Sequence, residues 1–101
     1  MKVIAKIVDL IEDEIDGAQQ YAELAIKYKT EHPRLAEKLH ELAGVEMAHV
    51  KALHTEATRL IEETRQRDGE PPAAMLAIYE YEHQKQIKHA AEIKALLDEY
   101  N

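Results

Sequence analysis

Glu46 and His49 are spaced so that both side chains can reach one metal ion. In an α-helix, residues three positions apart lie on the same side, one turn from each other. Both residues interrupt an apolar stripe, in the gap between Leu42 and Leu53. A buried carboxylate is costly unless it is paired or bound to a metal. We therefore predict a cation site on the apolar face of this helix, with Glu46 and His49 as ligands.

The same Glu-x-x-His spacing occurs twice more, at Glu37 with His40 and at Glu80 with His83. Helical periodicity turns Glu37 and Glu80 away from the apolar stripes of their helices and toward solvent. Both glutamates are therefore interpreted as surface residues, and neither pair is expected to form a site. The helix face, and not the motif alone, distinguishes Glu46 and His49.

Glu14 is the third candidate ligand, because it lies inside the apolar stripe of the first helix. If the first and second helices form an antiparallel hairpin centred near residue 31, Glu14 stands level with Glu46 and His49. Two carboxylates and one imidazole suit iron or manganese. The other interpretation is that these polar residues satisfy one another or are hydrated.

The third helix offers two weaker candidates, Glu82 and His89, which lie seven residues apart on its apolar stripe with Gln86 between them. A tight hairpin centred near residue 70 places Glu82 about 15 Å along the axis from the site, at 1.5 Å per residue. His89 would lie closer. These residues either supply a ligand or form a polar seam or a second, weaker cation site. The remaining histidines are expected to be surface or packing residues: His32, His40, His54 and His83.

Two breaks divide the chain into three helical segments. Pro33 suits the first turn of a helix, whereas Gly69 and the prolines after it end one. Each segment has apolar residues at helical spacing, and no segment has the alternation of a strand. We expect one all-α domain over residues 1–101. The predicted helices cover residues of about 3–29, 33–66 and 72–99.

Composition excludes several classes of protein. The chain has 13 Lys and Arg against 20 Asp and Glu, a formal charge of −7, which argues against nucleic acid and anionic membranes as partners. It has no Cys, which excludes thiolate metal sites and rubredoxin-type iron centres. Without a membrane-length apolar run or a secretory signal, we expect a cytoplasmic protein. Phe and Trp are absent, so we expect self-association to complete a thin core.

The candidate ligands resemble those of the ferritin-like di-iron carboxylate proteins. The segment from Glu14 to Tyr21 is similar to the first-helix pattern of that superfamily, a Glu followed seven residues later by a Tyr. Glu46-Met-Ala-His49 resembles its second-helix Glu-x-x-His. The resemblance covers residues of about 4–60. Within that superfamily, the chain is most similar to the encapsulated ferritins and to rubrerythrin-like half-bundle proteins.

The resemblance implies a ferritin-like antiparallel hairpin plus a third helix, with a four-helix bundle completed by dimerisation. It implies two iron ions at each two-fold interface, bound by Glu14, Glu46 and His49 of both copies, with Tyr21 beside the centre. Manganese or zinc is an alternative metal. The implied activity is that of a ferroxidase, which oxidises Fe(II) to Fe(III) with oxygen, and the expected partner is a second copy, in a homodimer or an oligomer of dimers.

Three alternatives remain open at this point. A rubrerythrin-like peroxide reductase uses the same kind of site, although the missing Cys removes a fused rubredoxin donor. A non-catalytic helical interaction protein would bind no redox metal, or zinc only structurally. A metal-buffering protein would bind without turnover. Encapsulated ferritins also imply an encapsulin shell as partner, but the chain ends at Asn101 with no extended targeting tail, and a 24-subunit cage is not expected.

Overall fold

The computed structural model describes residues 2–101. They form three helices: α1 (Lys2–Tyr28), α2 (Pro33–Asp68) and α3 (Ala73–Tyr100). The described part of the chain has no strand, so the predicted all-α class is confirmed. Each helix bound lies within two residues of the position that the sequence predicts.

A short turn joins α1 to α2. The His32 amide donates to the Tyr28 carbonyl at 2.8 Å, and the Ala36 amide donates to the His32 carbonyl at 2.9 Å. Pro33 follows His32 as the first residue of α2, where a missing amide hydrogen leaves no helical bond unmade. This tight connection holds α1 and α2 side by side as an antiparallel hairpin.

A more extended connection joins α2 to α3. Gly69 has a φ of 85°, a left-handed conformation that favours glycine, and its amide donates to the Arg65 carbonyl at 2.9 Å. Pro72 is extended, and its carbonyl accepts from the Leu76 amide at 3.1 Å. The segment therefore crosses between helix ends and does not form a tight turn.

The core is small and relies on close helix approach. Ile11, Ile15 and Ala18 of α1 pack with Ile93 of α3. Fully or nearly fully buried alanines allow the helices to approach closely elsewhere. These are Ala22, Ala25, Ala36 and Ala43.

The hairpin contact is the largest one in the molecule, while α3 packs mainly on α1 and touches α2 at few places. α3 is antiparallel to α2 and therefore parallel to α1. The result is an elongated molecule, 55 × 18 × 17 Å. Among residues 2–101, no helix has the length and apolar character needed to cross a bilayer.

Candidate metal centre

The hairpin brings Glu14, Glu46 and His49 together. One ligand atom from each side chain can be chosen so that all three lie within 4.8 Å of one another. His49 Nδ1 lies 3.4 Å from Glu14 Oε2. We refer to these three residues as the triad. Among residues 2–101, it is the one group of three or more acidic or histidine side chains that meets this criterion.

The register of the hairpin brings the triad together, and Gly17 lies beside one of its ligands. The antiparallel turn places Glu14 of α1 level with Glu46 and His49 of α2, as the sequence predicts. A Cβ atom at Gly17, one turn after Glu14, would lie 3.7 Å from Glu46 Oε2. The Glu46 carboxylate therefore rests directly over the α1 backbone, next to the other two ligands.

The triad lies at the edge of the hairpin and not in its interior. The Glu14 side chain is 29% exposed and the His49 side chain is 52% exposed. The sequence predicts ligands on buried apolar faces, and in a single chain this is wrong for His49, which lies on the exposed side of α2. The reason is that α3 covers the other side of the hairpin and leaves this side open.

Apolar side chains extend along the hairpin on both sides of the triad. On α1, Leu10 and Leu24 lie seven residues before and after Gly17, so all three share one helix face. On α2, Leu42 lies seven residues before His49 and shares its face in the same way. All three leucines are between 38% and 49% exposed. We call this surface the open face. It comprises Leu10, Gly17 and Leu24 of α1 with Leu35, Leu42 and His49 of α2.

The structure does not bring Glu82 or His89 to the triad. The Glu82 side chain hydrogen-bonds with Glu12 of α1, and the His89 ring nitrogen hydrogen-bonds with Gln19. Both contacts lie on the α3 side of α1, whereas the triad lies toward the open face. Of the two options that the sequence leaves for these residues, the structure favours a polar seam between α1 and α3.

The Glu12 and Glu82 carboxyl groups interact closely enough to change the proton affinity of one of them. The pKa of Glu12 is raised above 4.5, first by the hydrogen bond with Glu82, then by burial and by the negative charge of Glu82. The Lys85 ammonium opposes this effect. The contact of α3 with α1 is therefore more favourable when one of the two carboxyl groups is protonated than when both are charged.

Two ring contacts of α3 with α2 are not predicted from the sequence. His40 stacks on Tyr100 with ring centroids 4.3 Å apart, and His54 stacks on His83 at 4.4 Å. Both histidines of α2 lie at the edges of its apolar stripe, where surface or packing positions are expected. A hairpin centred on residue 70 places Tyr100 opposite His40, as observed, and places His83 opposite residue 57, three residues from its observed partner. The signal that the sequence lacks is which faces of α2 and α3 meet.

The triad has the chemistry of a cation site with open positions. Two carboxylates and an imidazole bind divalent ions of the first transition series, with ligand distances of about 2.0–2.2 Å. Ligand atoms already within 4.8 Å need only side-chain rotation to reach one ion. Comparison with known family models, curated proteins and solved structures finds no match in any of the three. The residues and their placement therefore provide the basis for a functional proposal.

Proposed function

We propose that this protein is a ferroxidase with a ferritin-like half-bundle fold. In this proposal it oxidises Fe(II) to Fe(III) with oxygen, at a di-iron site shared across a two-fold dimer interface. The observation on which the proposal depends most is the triad, in which ligand atoms of Glu14, Glu46 and His49 lie within 4.8 Å of one another at an open face.

One chain provides too few ligands for two iron ions. Di-iron sites in four-helix bundles use a Glu from each of two helices and a Glu-x-x-His from each of the other two. The hairpin provides Glu14 as the first kind of ligand and Glu46 with His49 as the second. A second copy related by a two-fold axis would add the same three residues, which gives four carboxylates and two imidazoles.

The open face supports dimerisation through the triad. Leu10, Leu24 and Leu42 remain partly exposed on either side of it. Apolar side chains that line up on one face are typical of an interaction surface. Pairing two hairpins by this face would bury these leucines and remove water from the ligands in the same step.

The ligand set fits the proposed reaction. Each of two Fe(II) ions gives up one electron, and O2 takes both electrons with two protons to form hydrogen peroxide. The carboxylates of Glu14 and Glu46 would stabilise the added positive charge on each iron, and His49 would bind through a ring nitrogen. The formal charge of −7 favours the approach of Fe(II), although salt screens this attraction.

An anaerobic Fe(II) titration followed by a pulse of oxygen tests the proposal. We expect about one Fe(II) per chain, doubling of the mass in light scattering, and a rapid rise of ferric absorbance after oxygen. Glu46→Ala should abolish all three. Glu37→Ala is the matched control, because Glu37 has the same spacing to a histidine but is exposed and lies outside the triad, so the change should leave all three unchanged.

Three results would contradict the proposal. The first is the absence of stoichiometric Fe(II) binding, and the second is binding by a chain that stays monomeric. The third is binding without oxygen-dependent turnover, which would identify a metal-binding protein and not an oxidase.

A further inference from the structure

His54 of α2 and His83 of α3 form a pair of imidazoles that the proposed ferroxidase site does not use. Their ring centroids are 4.4 Å apart, and the ring planes differ by 24°. Both residues are partly buried. The pair joins α2 and α3, which have few contacts with each other.

The two rings have space to rotate. A cavity of about 270 Å³ and a second of about 520 Å³ lie beside the pair, and His54, His83 and Gln86 line both. Space of this size accommodates a change of ring orientation and several water molecules.

A carboxylate lines the same space. Glu80 borders the smaller cavity together with both histidines. It precedes His83 by one helical turn, which is the spacing that Glu46 and His49 have in the triad. Glu80 is exposed, and its one described hydrogen bond, from Gln84 at 2.8 Å, lies on its own helix. Its carboxylate can therefore turn toward the rings at little cost.

We propose that His54, His83 and Glu80 form a second metal site, which binds a late first-row divalent ion such as zinc and ties α3 to α2. Two imidazole nitrogens at 2.0–2.1 Å from one zinc ion hold their ring centroids roughly 5 Å apart. The observed rings are stacked with their centroids 4.4 Å apart, so their nitrogens can converge on one ion only after the rings turn. Ring rotation directs one nitrogen of each histidine to a shared point, and water completes the coordination.

The chemistry of the ligands favours zinc over iron at this second site. Two imidazoles and one carboxylate form a more nitrogen-rich set than the triad, and divalent zinc binds such sets more tightly than Fe(II) does. Burial, together with the neighbouring His83, lowers the pKa of His54, so its ring stays in the neutral form that binds metal. The nearby Arg65 guanidinium is paired with Glu62 and Glu70.

This inference does not depend on the ferroxidase proposal. His54 lies five residues after His49, about 7.5 Å along the axis of α2, on the side that α3 covers. A zinc ion here would add a link between α2 and α3, the pair of helices with the smallest contact. It would leave the open face free for a second copy of the chain.

A zinc titration against a chromophoric competing chelator tests the inference in the full chain. Glu46→Ala serves as the background, because the triad would also bind zinc. We expect one zinc ion per chain in this background. A further His83→Gln or His54→Gln substitution should lower the affinity at least tenfold. His32→Gln, at an exposed histidine outside the site, is the control and should not change the affinity.

A second measurement uses the unaltered chain, so that loss of folding in a variant cannot account for the result. Zinc should shift the imidazole ¹⁵N resonances of both His54 and His83 in NMR spectra. The inference is overturned if these resonances stay in place, or if the doubly substituted variants bind zinc as tightly as Glu46→Ala alone.

Discussion

Gly17 is the residue of α1 that lies next to the Glu46 carboxylate of the triad. It lies in the middle of α1, where glycine costs about 1 kcal/mol relative to alanine. Its φ is not positive, so no backbone strain explains it. An added Cβ would be in ordinary contact with the Glu46 carboxylate. The position therefore has room for one carbon atom and little more.

We predict that Gly17→Ala raises the free energy of unfolding by about 0.5–1 kcal/mol, by removing the backbone entropy of glycine. Gly17→Val should instead weaken Fe(II) binding by about tenfold or more, because its methyl groups displace the Glu46 carboxylate. Urea denaturation and Fe(II) titration measure the two effects.

Gly44 provides the matched control for both substitutions. It lies inside α2, and an added Cβ there meets no atom within 4 Å. Gly44→Ala should be as stabilising as Gly17→Ala, and Gly44→Val should leave Fe(II) binding unchanged. Equal loss of binding from both valine variants would mean that Gly17 does not position Glu46.

At the scale of the elements, Ile93 is the one apolar residue of α3 that is buried. It is fully buried between Ile11, Ile15 and Ala18 of α1. We predict that Ile93→Ala lowers the free energy of unfolding by about 2–4 kcal/mol, while the triad keeps its Fe(II) affinity. Ile78 on the same helix is 61% exposed, and Ile78→Ala should change stability by less than about 0.5 kcal/mol. Loss of Fe(II) binding in Ile93→Ala would show that α3 supports the site after all.

The contact of α3 with α1 should depend on pH through Glu12. Because the pKa of Glu12 is raised above 4.5, its proton contributes stability that is fully present below pH 4.5 and is lost as pH rises through the folded pKa. At neutral pH, two carboxylates then oppose each other across the contact. We predict that Glu12→Gln raises the free energy of unfolding at pH 7, and that its advantage disappears as pH falls to about 4.5.

Unfolding of both proteins by urea at a series of pH values measures this difference. Asp13→Asn is the control. It removes the same charge as Glu12→Gln, at an exposed position of the same helix. An advantage of Glu12→Gln that stays constant with pH, or that Asp13→Asn reproduces, would contradict the assigned role of the Glu12–Glu82 contact.

The elements differ in how far the sequence determines them. Pro33 forces a short turn, so the register of the first hairpin and the level of Glu14 follow from counting residues. The second connection contains Gly69 and an extended Pro72 and is longer than the first. A count from residue 70 places Tyr100 level with His40, its observed partner, and places His83 three residues from His54. Counting residues gives the level of each side chain but not which faces of the helices meet, so the pairing of Glu12 with Glu82 could not be predicted.

At the scale of the whole molecule, the open face explains why the triad is exposed in one chain. Helical periodicity identifies the apolar stripes, but it does not say whether α3 or a second copy of the chain covers each one. α3 covers the side of Ile15 and Ile93, and Leu10, Leu24 and Leu42 remain partly exposed. The core of one chain is thin and has no Phe or Trp, so contact with a second copy is the main way left to bury these leucines.

A charge placed on the open face should therefore separate the proposed dimer without unfolding the chain. We predict that Leu42→Glu prevents dimerisation, because a two-fold interface would bury two carboxylates close to each other without partners. Since Leu42 is 38% exposed in the single chain, helicity and thermal unfolding of the monomer should change little. Fe(II) oxidation should fall because the dimer is lost, while each chain keeps weak Fe(II) binding through its own triad.

The matched control is Ile78→Glu, which adds the same charge to an exposed apolar position of α3. Light scattering measures the mass of both variants, and oxygen-pulse kinetics measure their Fe(II) oxidation. A Leu42→Glu chain that remains dimeric and active would place the interface on another face of the molecule.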